Sequence, residues 1–241
     1  MRAVRDVFTD FLDAARHFSR PARFYLFAEF LIWTAHGVYS VLFNLYLVEA
    51  GYPESFVGRA ISVNAIGLAV AALPAGFLAE RWGRRKSLVL GAVLEGIGHV
   101  LRASTAHGAT ILATGFIVGV GQAFFQIAAA PFLSEHSTPR ERTHLFSTFF
   151  AAALIAGVIG SAFGGVLPKA VQMVWPHTTL FVAYRITLLA AAALAMFSLV
   201  PLFRMGRLDE KPLDHEEAKV TPQQARHLFP IALNALLIGM G

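Results

Sequence analysis

The stretch Gly76-Phe77-Leu78-Ala79-Glu80-Arg81-Trp82-Gly83-Arg84-Arg85-Lys86 decides how the rest of the chain is read. Four cations fall in its last six positions, and long apolar runs lie on either side. Cations at this density are costly in hydrocarbon. The flanking runs, each close to the length of a membrane span, are equally out of place in water. The stretch therefore reads as a short aqueous turn between two spans.

The composition agrees. Of the 241 residues 56% are hydrophobic and only 15% are charged, and the mean hydropathy is +0.59. A soluble domain carries about 25% charged residues. Here the charges gather between apolar blocks, the pattern of an all-α protein that crosses the membrane several times. The formal charge of +5 does not imply a nucleic-acid partner, because the cations sit in the connections. Cysteine is absent, which excludes disulfides, thiolate metal sites and cysteine nucleophiles.

Four regions follow. Residues 1–23 place Val7, Phe8, Phe11, Leu12, Ala15 and Phe18 at helical spacing with charges between them. That is an amphipathic segment for the cytoplasmic surface, without the compact apolar core of a signal peptide. Residues 24–203 form a bundle of six spans, about 24–48, 57–79, 87–103, 109–133, 144–167 and 178–203, with Pro168 ending the fifth. Residues 204–227 make a polar cytoplasmic loop. Residues 228–241 start a seventh span and are too short to finish it, reaching about 20 Å at 1.5 Å per residue against a core of about 30 Å. Sixteen of the twenty Lys and Arg fall on the side of the N-terminus, against Arg59, Arg102, Lys169 and Arg185 elsewhere. That bias puts the N-terminus in the cytoplasm.

Gly76 to Lys86 resembles the loop between the second and third helices of the major facilitator superfamily, roughly G-x-L-A-D-R-x-G-R-[RK]-[RK]. Glu80 stands where Asp is usual. Ala156 to Gly165 is similar to that family's G-x-x-x-G-P-x-x-G-G motif, with Ala156 and Ser161 in place of Gly and Pro. Pro131-Phe132-Leu133-Ser134-Glu135 through Arg142 resembles its P-x-L-x-E…R segment. The family's fourth-helix Arg is missing, since Gly115 to Gly121 carries no cation. The resemblance implies half of a transporter, with a second six-helix half supplied by a missing C-terminal part, a separate chain or a second copy. It also implies a multi-pass protein of a prokaryotic plasma membrane. Glu80, Arg81 and Arg84 become gate residues. Gly76 and Gly83 allow close helix approach and a sharp turn.

In the first span Glu29, Trp33, His36, Ser40 and Asn44 recur every three or four residues and share a helical face. A polar stripe in a membrane helix faces protein or water, not lipid. The resemblance makes it a wall of the substrate cavity. Gln122 and Gln126 add carboxamides on one face of the fourth span; these both donate and accept, which suits a neutral or zwitterionic solute. Glu95 on the third span is expected to pair with Arg185 on the sixth. Nothing in the sequence implies a cofactor or a metal: Glu95 with His99, or Glu29 with His36, lacks a third ligand nearby in sequence. No P-loop lysine is present, so ATP is not the fuel. The expected function is ion- or proton-coupled transport of a small organic solute by alternating access, with a membrane scaffold or sensor as the rival and no enzymatic role. The expected partners are the lipid bilayer, the solute and the second half.

Overall fold

The structure, a computed structural model, describes residues 18–205. Most of the expected amphipathic segment 1–23 and of the loop 204–227, and all of the seventh-span start 228–241, lie outside the described residues.

Six helices among the described residues are long and apolar enough to cross a membrane. They are α1 (Arg20–Glu49), α2 (Glu54–Trp82), α3 (Arg84–Ser104), α4 (Gly108–Glu135), α5 (Pro139–Val174) and α6 (Leu180–Phe197), the last extended by the short α7 (Leu199–Arg204). In hydrocarbon a backbone has no water to bond, so each crossing segment closes its own hydrogen bonds as helix. The starts follow from capping chemistry. The Ser19 hydroxyl accepts from the Ala22 N–H with Pro21 in the first turn. Thr138 and Glu141 form a capping box ahead of α5, with Pro139 in its first turn. Gly83 joins α2 to α3 in one residue at φ 98°, a backbone region almost closed to side-chain-bearing residues.

One expected boundary moves. Pro168 does not end the fifth helix; it lies buried inside α5, which runs on to Val174. A proline ring presses on the carbonyl four residues back. Here that residue is Gly164, whose backbone can give without a side chain in the way, and the helix runs through. The sixth span breaks at Ser198, whose hydroxyl turns back to the Ala195 carbonyl.

The packing has an internal two-fold pattern. α1 lies on α5 and α6, α4 lies on α2 and α3, and α3 meets α6. Exchanging α1 with α4, α2 with α5 and α3 with α6 leaves this pattern unchanged. Lipid tails are as apolar as leucine, so close backbone contact carries much of the cohesion. Gly160 of α5 faces the Thr34 carbonyl of α1, and a Cβ there would lie 3.0 Å from the Gly37 Cα. The same closeness joins α3 to α4, where a Cβ on Gly121 would lie 2.8 Å from the Glu95 N. Gly157 and Gly165 point away, with no described atom within 4 Å of an added Cβ. The Gly160–Gly164 face of α5 thus belongs to contact within this bundle. At Gly76 the nearest neighbour of an added Cβ would be the Ile127 Cγ2 at 3.8 Å, so among the described residues no backbone of another helix approaches it closely.

Two large apolar clusters fill opposite ends of the bundle. One gathers Tyr25, Leu88, Phe125, Phe132, Leu145 and Leu202, the other Leu42, Tyr46, Phe56, Ile111 and Leu188. Between them lies the polar material.

Candidate functional site

The stripe on α1 forms one wall of a cavity of ≈ 410 Å³. Trp33, His36, Ser40 and Asn44 line it, together with Tyr39 and Phe43 of the same helix. From Trp33 to Asn44 the wall runs about 16 Å along the axis. α2 contributes Asn64, α4 contributes Gln122 and Gln126, and Arg102 of α3 closes one end. Gln122 links the walls, its Nε2 lying 3.1 Å from the His36 Nε2. Ser40 donates to the Gly37 carbonyl at 2.8 Å and Asn64 donates to the Gly115 carbonyl at 3.1 Å. Asn44 and Gln126 make no side-chain hydrogen bond among the described residues, which leaves their amides open to the cavity.

Glu29 is placed differently from its neighbours on the stripe. It is buried behind the wall and does not line the cavity. The Tyr25 hydroxyl donates to one carboxylate oxygen at 2.8 Å and the Trp33 indole N–H donates to the other at 2.6 Å. Both donors stand one turn away on the same helix, the spacing at which side chains meet. Trp33 therefore bridges, its ring on the cavity and its N–H on Glu29.

The expected Glu95–Arg185 pair does not form. Arg185 Nη2 donates to the Ser104 carbonyl at the end of α3. Glu95 lies nine residues earlier, about 14 Å along the helix, and its Oε2 sits 3.0 Å from the His36 Nε2. The polar face of α3 is turned toward α1 and the cavity. His99 follows one turn later, its ring 4.0 Å from that of Tyr39 and 5.7 Å from that of His36, centroid to centroid. The ligand atoms of His36, Glu95 and His99 lie within 4.8 Å of one another. The third ligand missing near Glu95 and His99 in sequence is thus supplied by α1. Arg102 ends the row with its guanidinium 4.4 Å from the ring centres of both Tyr39 and Phe43, a cation–π arrangement.

At the other end of α3 the basic turn meets the Pro131–Glu135 segment. Arg84 Nε lies 3.4 Å from Glu135 Oε1. Arg85 donates to the carbonyls of Leu202 and Phe203 at 3.4 and 3.1 Å, satisfying acceptors that a helix end leaves open. Arg142 donates to the Ser134 carbonyl at 3.1 Å. Glu80 and Arg81 are exposed and pair with no described residue. Of the expected gate residues, only Arg84 is engaged within the bundle.

Sequence reasoning left out Tyr39, Phe43 and Arg102 as cavity residues and did not join His99 to His36. Tyr39 and Phe43 carried a signal, since they follow His36 at the same three-to-four spacing as the polar stripe. His99 and Arg102 carried one in their offsets from Glu95, but their partner helix depends on how α3 is rotated.

The sequence profile described as Major Facilitator Superfamily matches residues 25–240. Among curated proteins, the MFS-type transporter criB of Aspergillus cristatus is 31% identical over 109 residues, 45% of this chain and 23% of its own length. The Na(+), Li(+), K(+)/H(+) antiporter of Planococcus maritimus is 25% identical over 194 residues, 78% of this chain and 42% of its own. The 4-hydroxybenzoate transporter PcaK of Pseudomonas aeruginosa is 28% identical over 145 residues, 60% of this chain and 32% of its own. The chain spans less than half the length of each of these relatives.

Proposed function

This chain belongs to the Major Facilitator Superfamily, a family of membrane transporters, and from that premise we propose that it is the substrate-binding half of a secondary transporter. It binds a small organic solute in the cavity between α1, α2 and α4 and alternates access to the two sides of the membrane. A second six-helix bundle forms the opposite wall. The observation that carries this reading is the cavity itself, polar side chains from four helices facing a common space in an otherwise apolar bundle.

The lining suits a solute with hydrogen-bonding groups and an apolar body. Asn44, Gln122 and Gln126 offer amides that donate and accept, and Trp33 and Phe43 offer faces for stacking. Arg102 gives a carboxylate on such a solute a charged contact. Transport is coupled to an ion, and the buried carboxylates Glu29 and Glu95 are the places where a cation, a proton included, can ride. Glu80, Arg81 and Arg84, held around the Gly83 turn, act as the gate toward the second bundle on the cytoplasmic side.

Counterflow in proteoliposomes that hold the chain together with its second bundle tests this. Vesicles preloaded with an unlabelled solute are given the same solute in labelled form, across a panel of amino acids, aromatic acids, sugars and cationic drugs. At least one solute is expected to exchange, and Asn44→Ala and Gln126→Ala are expected to reduce that exchange while the protein stays folded. Exchange untouched by both substitutions would move the binding site elsewhere. No exchange of any solute would favour a scaffold or sensor.

A further inference from the structure

We propose that His36, Glu95 and His99 form a binding site for a divalent first-row transition cation, such as Zn2+, set in the cavity wall between the two apolar clusters. The three residues come from two helices, and their ligand atoms already lie within 4.8 Å of one another. Zinc–ligand bonds of about 2.0–2.2 Å place two tetrahedral ligands about 3.3 Å apart. The His36–Glu95 edge, at 3.0 Å, is close to that length. The His99 ring has to bring one nitrogen inward by at most about 1.5 Å to complete the face, a movement within reach of rotation about its side-chain bonds.

A second observation points the same way. Both ring nitrogens of His99 have no hydrogen-bond partner among the described residues, although His99 is only 1% exposed, and the 2% exposed Glu95 has only the His36 Nε2 beside its Oε2. A buried polar group left unpaired is expensive. A cation on the three residues would satisfy the carboxylate and one nitrogen of His99 together. Arg102 does not neutralise Glu95 by contact, because its guanidinium rests on the faces of Tyr39 and Phe43. Access exists as well: the His36 side chain is 16% exposed and faces the cavity, so a water or a solute atom can take the fourth position, as in open zinc sites. Two imidazoles and one carboxylate favour zinc, cobalt, nickel or iron over magnesium and calcium, which prefer an all-oxygen shell. Gln122, now 3.1 Å from the His36 Nε2, has to turn aside, or can offer its carbonyl oxygen.

The site stands on its own geometry and is read by metal binding alone, so its failure is separate from any failure of the transport reading. The test uses the full chain without a polyhistidine tag, stripped with chelator and held in lipid nanodiscs. Titration with Co2+ is expected to give one equivalent with visible d–d absorption, displaced by Zn2+ and not by Mg2+. Glu95→Gln and His99→Gln are each expected to weaken Zn2+ binding by more than about tenfold, since loss of even an outer-shell partner costs about 10–100-fold. His177→Gln, at an exposed loop position, is expected to leave affinity unchanged. Should either buried variant fail to fold, His36→Gln at the cavity face carries the same expectation. No Co2+ band in the parent chain, or unchanged Zn2+ affinity in the folded ligand variants, overturns the proposal.

Discussion

Alanine at Gly160 and alanine at Gly165 should move stability in opposite directions, although the two glycines lie five residues apart on one helix. At Gly160 the new methyl meets the Thr34 carbonyl of α1, with the Gly37 Cα also at 3.0 Å. Both obstacles are backbone, so neither can step aside as a side chain would. Overpacking a tight contact costs up to about 3 kcal/mol. Replacing glycine by alanine in a helix returns about 1 kcal/mol, leaving a net loss of about 2 kcal/mol. At Gly165 no described atom lies within 4 Å, so only the gain of about 1 kcal/mol remains. The variants should then differ by about 3 kcal/mol. At about 2–4 °C per kcal/mol for a chain of this size, that is a gap of roughly 6–12 °C in Tm. Heating purified protein in detergent and measuring the surviving monodisperse fraction reads the gap directly. If Gly165→Ala proved as damaging as Gly160→Ala, or if Gly160→Ala cost nothing, the packing of α5 on α1 described here would be wrong.

Other expectations concern the polar groups and the turn. Tyr25→Phe and Trp33→Phe each remove one donor from the buried Glu29 carboxylate and should cost about 1.5–3 kcal/mol in thermal stability; an unchanged Tm in both would mean that Glu29 is satisfied by other means. A double-mutant cycle on Glu95 and Arg185 should show coupling below about 0.5 kcal/mol, and a larger value would restore the ion pair that the structure replaces. Gly83→Ala should cost about 1–3 kcal/mol, because a side chain at φ 98° is strained; chemical unfolding of the variant measures this.

Much of the architecture could be read without coordinates, and the reasons are physical. Cations cannot stay in lipid, so Arg81 to Lys86 marked an interhelical turn, and the apolar blocks marked the spans. Pro168 misled, because the residue four back is Gly164 and the helix carries on past the ring to Val174. The α1 stripe was legible from spacing, since Trp33, His36, Ser40 and Asn44 lie on one face whatever surrounds them. Spacing did not reveal that Glu29 sits behind that face, which depends on the rotamers of Tyr25 and Trp33. Partner choice was the least legible. Whether Glu95 meets Arg185 or His36 depends on the rotation of α3 and on the depth of Arg185, and neither is written in the local sequence of α3.

The buried row on α3 bears on how the protein enters the membrane. With Glu95, His99 and Arg102 on one face, α3 has the lowest mean hydropathy of the six spans, 1.2 over its best window. An acidic or basic side chain near the centre of a lone inserting helix costs about 2.5–3.5 kcal/mol at the translocon. The neighbour that meets these groups is α1, made earlier: Glu95 meets His36, His99 meets Tyr39, and Arg102 meets Tyr39 and Phe43. α3 is therefore a poor passenger by itself and should partition better with α1 already in place. Glycosylation mapping of α3 alone and of α3 preceded by α1 and α2 would show this as a rise in integration, and equal integration would count against it.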